Sequence, residues 1–408
     1  MVRGLLCFGG FLVAALIAYS FGSKQSGGFD LANLLRPLPE VDESYQRGFR
    51  SDAIAHINRA RVPLNVDQAG VDDDIQTFLR AFVGEHPRPE EIELDVVFND
   101  LQSQFPGAQY LAANLVTSGS REELLGKLAG WTAVASPDFN TVNTAVFTHG
   151  RRLGALAVMA RRIPAFSLRA ANEEGGRFFN QCPHCGKVHA LEVEKESRTL
   201  ILSCPYCELP FDILAADTSG TIKRAPDFFD GFKLMEQPEV ASQMSSEQRI
   251  MALWQRITDQ CDYQLDQDHS DEKEREVWKN SRQTWDEKAG DCEDTSILLA
   301  DALISAGFEA RVAIGWNGNI GQHAWVVVKS GDRQYVLEST LQDNITLENL
   351  VIASKAAAFY QPEQLFDREN LYFTEADESD FRRDYFSPSL WRKLPVRNDL
   401  KAPTLSLR

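Results

Sequence analysis

Apolar residues recur at helical spacing through the first part of the chain. "DAIAHINRARV" (Asp52 to Val62) and "DDIQTFLRAFV" (Asp73 to Val83) both repeat them every three or four positions. The stretch from Phe49 to about Arg162 therefore predicts a helix-rich N-terminal domain, spanning about 46–170. The pattern changes towards the C-terminus. "TSILLADALISAG" puts Ile297, Leu298, Leu299, Leu303 and Ile304 on one broad apolar face, and Gly307 is a natural stop, so a buried helix is predicted to begin near Cys292. Three strand-like runs follow, "EARVAIGW", "HAWVVVK" and "QYVLES", with "SGDR" as a hairpin signal between the second and third. The fold class is α+β and multidomain, with a core helix packed on an antiparallel sheet.

The first residues follow a different rule. "MVRGLLCFGGFLVAALIAYSFGSKQSGG" carries one basic residue and then an uncharged run from Gly4 to Gly22, long enough to cross a bilayer as a helix. Residues 1–22 are expected to be a signal-anchor; a signal peptide cleaved after Ser20 and a buried core helix are the alternatives. Cys7 lacks the small residues that precede a lipid-modified cysteine. A lone N-terminal span most often leaves the bulk of the chain outside. The expected location is therefore membrane-anchored and extracytoplasmic, in the periplasm or at the cell surface, or secreted if the signal is cleaved. Residues 23–45, polar and bearing Gly and Pro, read as a linker. The formal net charge of −17 over 408 residues argues against non-specific binding to nucleic acid. Expected partners are the membrane, through the N-terminal helix, and a protein or peptide.

Between the two halves, at about 171–216, "CPHCG" (Cys182, Cys185, Gly186) is followed eighteen residues later by "CPYC" (Cys204, Cys207). Two such knuckles bring four thiolates to the corners of a tetrahedron, and the glycine lets the backbone turn beneath the metal. A structural zinc is expected there. Export to an oxidising compartment favours disulfides instead, and a redox-active pair is the third reading. His184 and His189 are not needed as ligands.

Cys292, at the start of its predicted helix, lies where the macrodipole favours the thiolate, while Asp291, Glu293 and Asp294 oppose it. If Lys329 pairs with Gln334 in the hairpin, Trp325 opposes Glu338 and His323 opposes Thr340. His323 and Glu338 then share a sheet face as diagonal neighbours, roughly 7–8 Å apart. Nucleophile, base and orienting acid follow in that order as Cys292, His323 and Glu338. Cys261 has no such context and reads as a buried thiol.

"VWKNSRQTWDEKAGDCEDTSILLADALISAGFEARVAIGW", "HAWVVV" and "VLEST" together resemble the bacterial transglutaminase-like branch of the papain-like cysteine enzymes. The resemblance is closest over Trp278 to Thr340 and implies a transglutaminase-like domain at about 225–375, followed by a C-terminal tail, 376–408. It implies a peptidase or amidase in which Cys292 is the nucleophile, His323 the base and Glu338 the acid. That acid is usually an aspartate followed by Pro-Thr; here it is a glutamate followed by Ser339. In related cysteine proteinases the acids of a similar "DCED" run can bind calcium, which implies Asp291 and Glu293 as ligands. A zinc module ahead of such a fold also resembles peptide N-glycanases, whose residues around the cysteine differ. In the first domain "INRARVPLNVD", "AANL" and Trp131 resemble the CAP, or SCP-like, domain of secreted proteins, although His56, His86 and His149 do not fall in that family's patterns. Nothing identifies an acyl acceptor site, so hydrolysis is favoured over cross-linking. A surface adaptor that binds a protein or peptide without cutting it is the alternative.

Overall fold

The computed structural model describes residues 38–86, 88–193, 199–234, 241–265, 277–340, 346–374 and 383–395. The expected signal-anchor and most of the linker lie outside them. Among the described residues no helix is long and apolar enough to cross a membrane. The chain divides into two compact units, Met1–Ala165 and Phe166–Arg408.

The first unit contains α1 (Glu43–Arg61), α2 (Asp73–Glu85), α3 (Leu94–Gln104), β1 (Tyr110–Ser118), α4 (Arg121–Ala129), β2 (Thr141–His149) and β3 (Arg152–Arg161). Its strands form an antiparallel sheet in the order β1-β3-β2. Along β3, Ala155, Ala157 and Met159 pack with Phe49 and Ile57 of α1 and Leu124 and Leu128 of α4. Their alternates Leu156, Val158 and Ala160 pack with Ile75 and Leu79 of α2 and Val97 and Leu101 of α3. Helices thus cover both faces of a central sheet, so the helix-rich domain expected there also contains three strands that the helical patterns up to Arg162 did not show. A strand buried on both faces has no polar alternation, so its sequence does not announce it.

The outer edge of β2 is closed by side chains. Gln46 of α1 donates to the Val146 carbonyl at 2.5 Å and accepts from its N–H at 3.0 Å. Gln76 of α2 treats Thr144 the same way, at 2.7 and 3.1 Å. Gly70 bridges the strand's beginning, and Asp72 N–H donates to the Asn143 side chain at 3.0 Å.

The second unit runs through α5 (Leu168–Glu174), β4 (Gly176–Gln181), β5 (Val188–Val193), β6 (Thr199–Ser203), β7 (Pro210–Ala216), β8 (Ile222–Arg224), α6 (Ser246–Thr258), β9 (Asp262–Tyr263), α7 (Ser281–Glu287), β10 (Ala289–Gly290), α8 (Cys292–Ser305), β11 (Glu309–Asn317), β12 (Gly321–Ser330), β13 (Arg333–Leu337), β14 (Val351–Ile352), α9 (Ala353–Ala356), β15 (Tyr360–Phe366), β16 (Asn370–Thr374) and β17 (Trp391–Pro395). Its main sheet has the order β14-β13-β12-β11-β15-β16-β17. Ile297, Leu298, Leu299 and Leu303 of α8 are fully buried with Val312, Val326 and Val328 of the sheet. Each such side chain contributes about 1.5–3 kcal/mol. Gly307, at φ +91°, ends the helix as expected. On the other sheet face Trp325, Val327 and Leu365 pack with Tyr385 and Trp391.

Two boundaries differ from expectation. Trp391–Pro395, inside the segment assigned to a tail, hydrogen-bonds along β16 as the edge strand of this sheet. The strands around the four cysteines share their core with the helix: Phe178, Val193, Leu202 and Ile213 lie in the same apolar cluster as Trp254 and Leu298. A module of that size cannot bury enough apolar surface alone, and here it borrows a core.

Candidate active site

Cys292 is the first residue of α8, reached through a tight approach. Gly290 pairs with Tyr263 across β9 and β10, and Gln264 N–H donates to the Gly290 carbonyl at 3.0 Å. A Cβ on Gly290 would stand 2.6 Å from the Asp294 Cβ, so only glycine lets the chain pass over the helix start. The Asp291 carbonyl then accepts from Thr295 N–H at 3.2 Å and from the Thr295 hydroxyl at 2.6 Å, opening the helix.

The electrostatics of that start differ from the expectation that the macrodipole favours a thiolate. Burial raises the Cys292 thiol first, and the carboxylates of Glu293 and Asp291 raise it further; the Ala324 N–H aimed at the sulfur only partly offsets them. The thiol donates to Glu293 Oε2 at 3.2 Å. A helix dipole contributes about 0.3–1 kcal/mol, which burial and two adjacent acids outweigh.

The hairpin has the expected register, with Lys329 opposite Gln334 and Val326 opposite Leu337. The ladder stops at that last pair, where α8 enters. The Ser339 hydroxyl lies 2.9 Å from the Thr295 hydroxyl and 3.0 Å from the Ser296 hydroxyl, tying the strand's continuation to the first turn of the helix. His323 Nε2 meets Glu338 Oε2 at 2.8 Å. The His323 ring stacks on Trp325 with centroids 6.3 Å apart. The Trp254 indole N–H donates to the Glu338 carbonyl at 2.8 Å, and the Tyr360 hydroxyl donates to Glu338 Oε1. His323 and Glu338 are therefore brought together, and Cys292 lies against the backbone of the residue that follows His323.

Asp291, Glu293 and Asp294 are all buried and each offers a carboxylate oxygen within 4.8 Å of the others. Hard cations such as calcium are bound by such oxygens. Asp294 is also engaged by Lys279, accepting from its N–H at 2.7 Å and lying 3.6 Å from its ammonium. The donor set fits a hard cation, with Asp294 added to the two acids expected.

The four thiols of the second cluster lie within 4.8 Å of one another. The Sγ–Sγ distances Cys182–Cys207 and Cys185–Cys204 are both 3.7 Å. Four Zn–S bonds of about 2.3 Å at tetrahedral angles require about 3.8 Å. Both knuckles turn alike. Gly186 N–H bonds to the Cys182 carbonyl and Glu208 N–H to the Cys204 carbonyl, with φ of +72° and +62°. Every described cysteine is a free thiol. Within the cluster the thiols diverge: the Lys187 N–H lowers the exposed Cys185 to about 7, while burial raises Cys182 to about 12. His184 is occupied elsewhere, its Nε2 lying 2.7 Å from the Pro210 carbonyl. Cys261 is buried, as expected, and burial pushes its thiol up to about 11.

Sequence patterns missed Tyr360, Trp254 and Tyr263. Tyr263 is half exposed beside the helix start; burial, and then the acids at that start, push its phenol up to about 12. The first two reach Glu338 from β15 and α6, far away in the chain, and no local periodicity marks them.

The family described as the CEP76 peptidase-like domain matches residues 276–394, a span that includes Cys292, His323 and Glu338. No curated protein matches the chain. Among solved structures, calcium-bound LapG of Legionella pneumophila is similar at 16% identity over 35% of this chain and 90% of that one, with a TM-score of 0.25. A protein of Cytophaga hutchinsonii, described as a candidate cysteine protease, is similar at 12% identity over 71% of this chain and 80% of that one, with a TM-score of 0.20. Residues 276–394 are thus similar to a peptidase-like domain.

Proposed function

We propose that the chain is a transglutaminase-like thiol hydrolase of peptide or amide bonds, exported and held at a membrane by its first residues. The observation that carries this reading is the 2.8 Å contact of His323 Nε2 with Glu338 Oε2, with the N–H of the next residue, Ala324, directed at the Cys292 sulfur at a helix start. In the proposed reaction His323 takes the Cys292 proton as the sulfur attacks the substrate carbonyl. The oxyanion faces backbone N–H groups at the start of α8, including that of Cys292. The imidazolium returns the proton to the departing amine, leaving a thioester on Cys292. Water, deprotonated by His323, then cleaves the thioester to a carboxylic acid and restores the thiol.

Two metal sites belong to this reading. Cys182, Cys185, Cys204 and Cys207 would hold a structural zinc. Asp291 and Glu293, with Asp294, would hold calcium, whose charge would offset the repulsion that those carboxylates exert on a thiolate at Cys292.

The elevated Cys292 thiol is also what favours a second reading, an adaptor that binds a peptide without cleaving it. A thiol-reactive amide probe separates the two. An enzyme loses covalent labelling of Cys292 in His323→Ala, whereas labelling that survives this change marks a merely accessible thiol and overturns the hydrolase reading.

A further inference from the structure

We propose that Tyr360 is a positioning residue for His323: by donating to Glu338 Oε1 it leaves Glu338 Oε2 to accept from His323 Nε2, and so keeps the imidazole proton on that nitrogen and Nδ1 free of one. The catalytic consequence rests on the hydrolase reading; the location of the proton does not.

The direction of each hydrogen bond is set by what the groups can do. A carboxylate only accepts, so both of its partners must donate. Burial, and then Glu338, push the Tyr360 phenol well above its ordinary value, which favours the form that donates to the carboxylate. With Oε1 taken by that phenol, Oε2 is the oxygen that faces Nε2 at 2.8 Å. A neutral imidazole has one N–H, and a donor at Nε2 is unprotonated at Nδ1, the form a general base needs.

Tyr360 is itself fixed. Its ring stands edge-on to Trp325, with centroids 5.1 Å apart, and His323 stacks on the same indole. Its backbone pairs with Asn317, and Gly318 N–H donates to the neighbouring Phe359 carbonyl at 2.8 Å. These restraints matter because residue 338 is a glutamate. It has one more rotatable bond than an aspartate, and that freedom must be lost before the carboxylate can orient anything. The Trp254 indole holds its backbone carbonyl and the Tyr360 phenol its far oxygen. The longer acid thus has the anchor it requires.

The test uses the full chain with histidine nitrogens labelled, and resonances assigned by their loss in His323→Gln. At a pH where the imidazole is neutral, wild-type protein should show His323 protonated at Nε2. In Tyr360→Phe, which keeps the ring, the two nitrogen shifts should move towards each other as the tautomers mix. With an amide reporter, kcat should fall roughly 10- to 100-fold at constant KM, the range set by one hydrogen bond to a charged group. A wild-type proton on Nδ1, an unchanged tautomer in Tyr360→Phe, or an undiminished kcat in that variant would overturn the proposal. If the wild type turns over no amide, the hydrolase reading fails and the tautomer measurement still decides this one.

Discussion

Replacing Glu338 by glutamine keeps shape and size while removing one charge, and the geometry leaves the new side chain only two orientations. The two ends of its amide must face the Tyr360 hydroxyl and His323 Nε2, where the carboxylate now accepts from both. If the amide oxygen accepts from Tyr360, its NH2 group faces Nε2, which must become the acceptor. The imidazole proton then moves to Nδ1 and the base is lost. The reverse orientation asks the Tyr360 hydroxyl to accept and removes its buried proton's partner. Either way a charge-assisted hydrogen bond disappears, about 1.5–3 kcal/mol, together with the stabilisation of the imidazolium formed when Cys292 gives up its proton. At 1.36 kcal/mol per decade the hydrogen bond alone accounts for about 10- to 100-fold, and loss of the imidazolium's charged partner with the wrong tautomer takes the expected fall in kcat to about 10²–10⁴-fold. The same lost hydrogen bond should lower stability by about 1–3 kcal/mol, so the variants are compared at temperatures where both are folded. The assay is single-substrate kinetics on an amide reporter beside urea denaturation of the same preparations. A glutamine variant that folds and turns over at full speed would refute the role of Glu338.

Freshly purified protein should contain one zinc per chain by metal analysis, and a chelator should lower the melting temperature of the whole second unit, because the strands around the four thiols share its core; no zinc and two disulfides by mass spectrometry would defeat this. Burial raises the Asp217 carboxyl, but the Lys223 ammonium at 2.8 Å and donors from Ser219 and Thr221 outweigh it and bring it down to about 2. The folded value lies below the unfolded one, so the stabilisation, roughly 1–2 kcal/mol after allowance for solvent, is present above about pH 4 and lost as pH falls through 2. The stability gap between wild type and Asp217→Asn should accordingly close between pH 5 and pH 2, roughly, in urea titrations. A Cβ at Gly315 would lie 2.1 Å from the Gln361 carbonyl oxygen, at the bulge where β15 crosses β11. Gly315→Ala should therefore cost about 2 kcal/mol or more, and a variant as stable as wild type would mean that β15 sits elsewhere.

How far the sequence could be read depended on how local each signal was. The hairpin register comes from a short loop between two β-branched runs, and Val326 does face Leu337. The knuckles come from cysteine spacing, and the end of α8 from Gly307. The strands of the first unit failed because both faces of β3 are apolar, as Leu156 and Ala157 on opposite sides illustrate. Tyr360 and Trp254 failed for another reason. They reach Glu338 only because β15 crosses to pair with β11 and because α6 lies against the sheet, relations of topology that no window of residues encodes. The charge around Cys292 was half legible: the acids were visible, but the depth of burial, the larger effect, was not.

The amides of Gln46 and Gln76 serve β2 as though they were the backbone of a neighbouring strand, each giving and taking one hydrogen bond. Each is a single peptide-like unit carried on a helix, so the imitation ends after one rung and no further strand can be templated from it. Glutamate lacks the donor and leucine lacks both groups, and either substitution would strip a rung while leaving the helix intact. The outer edge of β2 is thus guarded by two side chains on separate helices, α1 and α2. Protection of that flank is therefore only as durable as the docking of both helices, and partial unfolding of the first unit would uncover an adhesive edge before the sheet itself came apart.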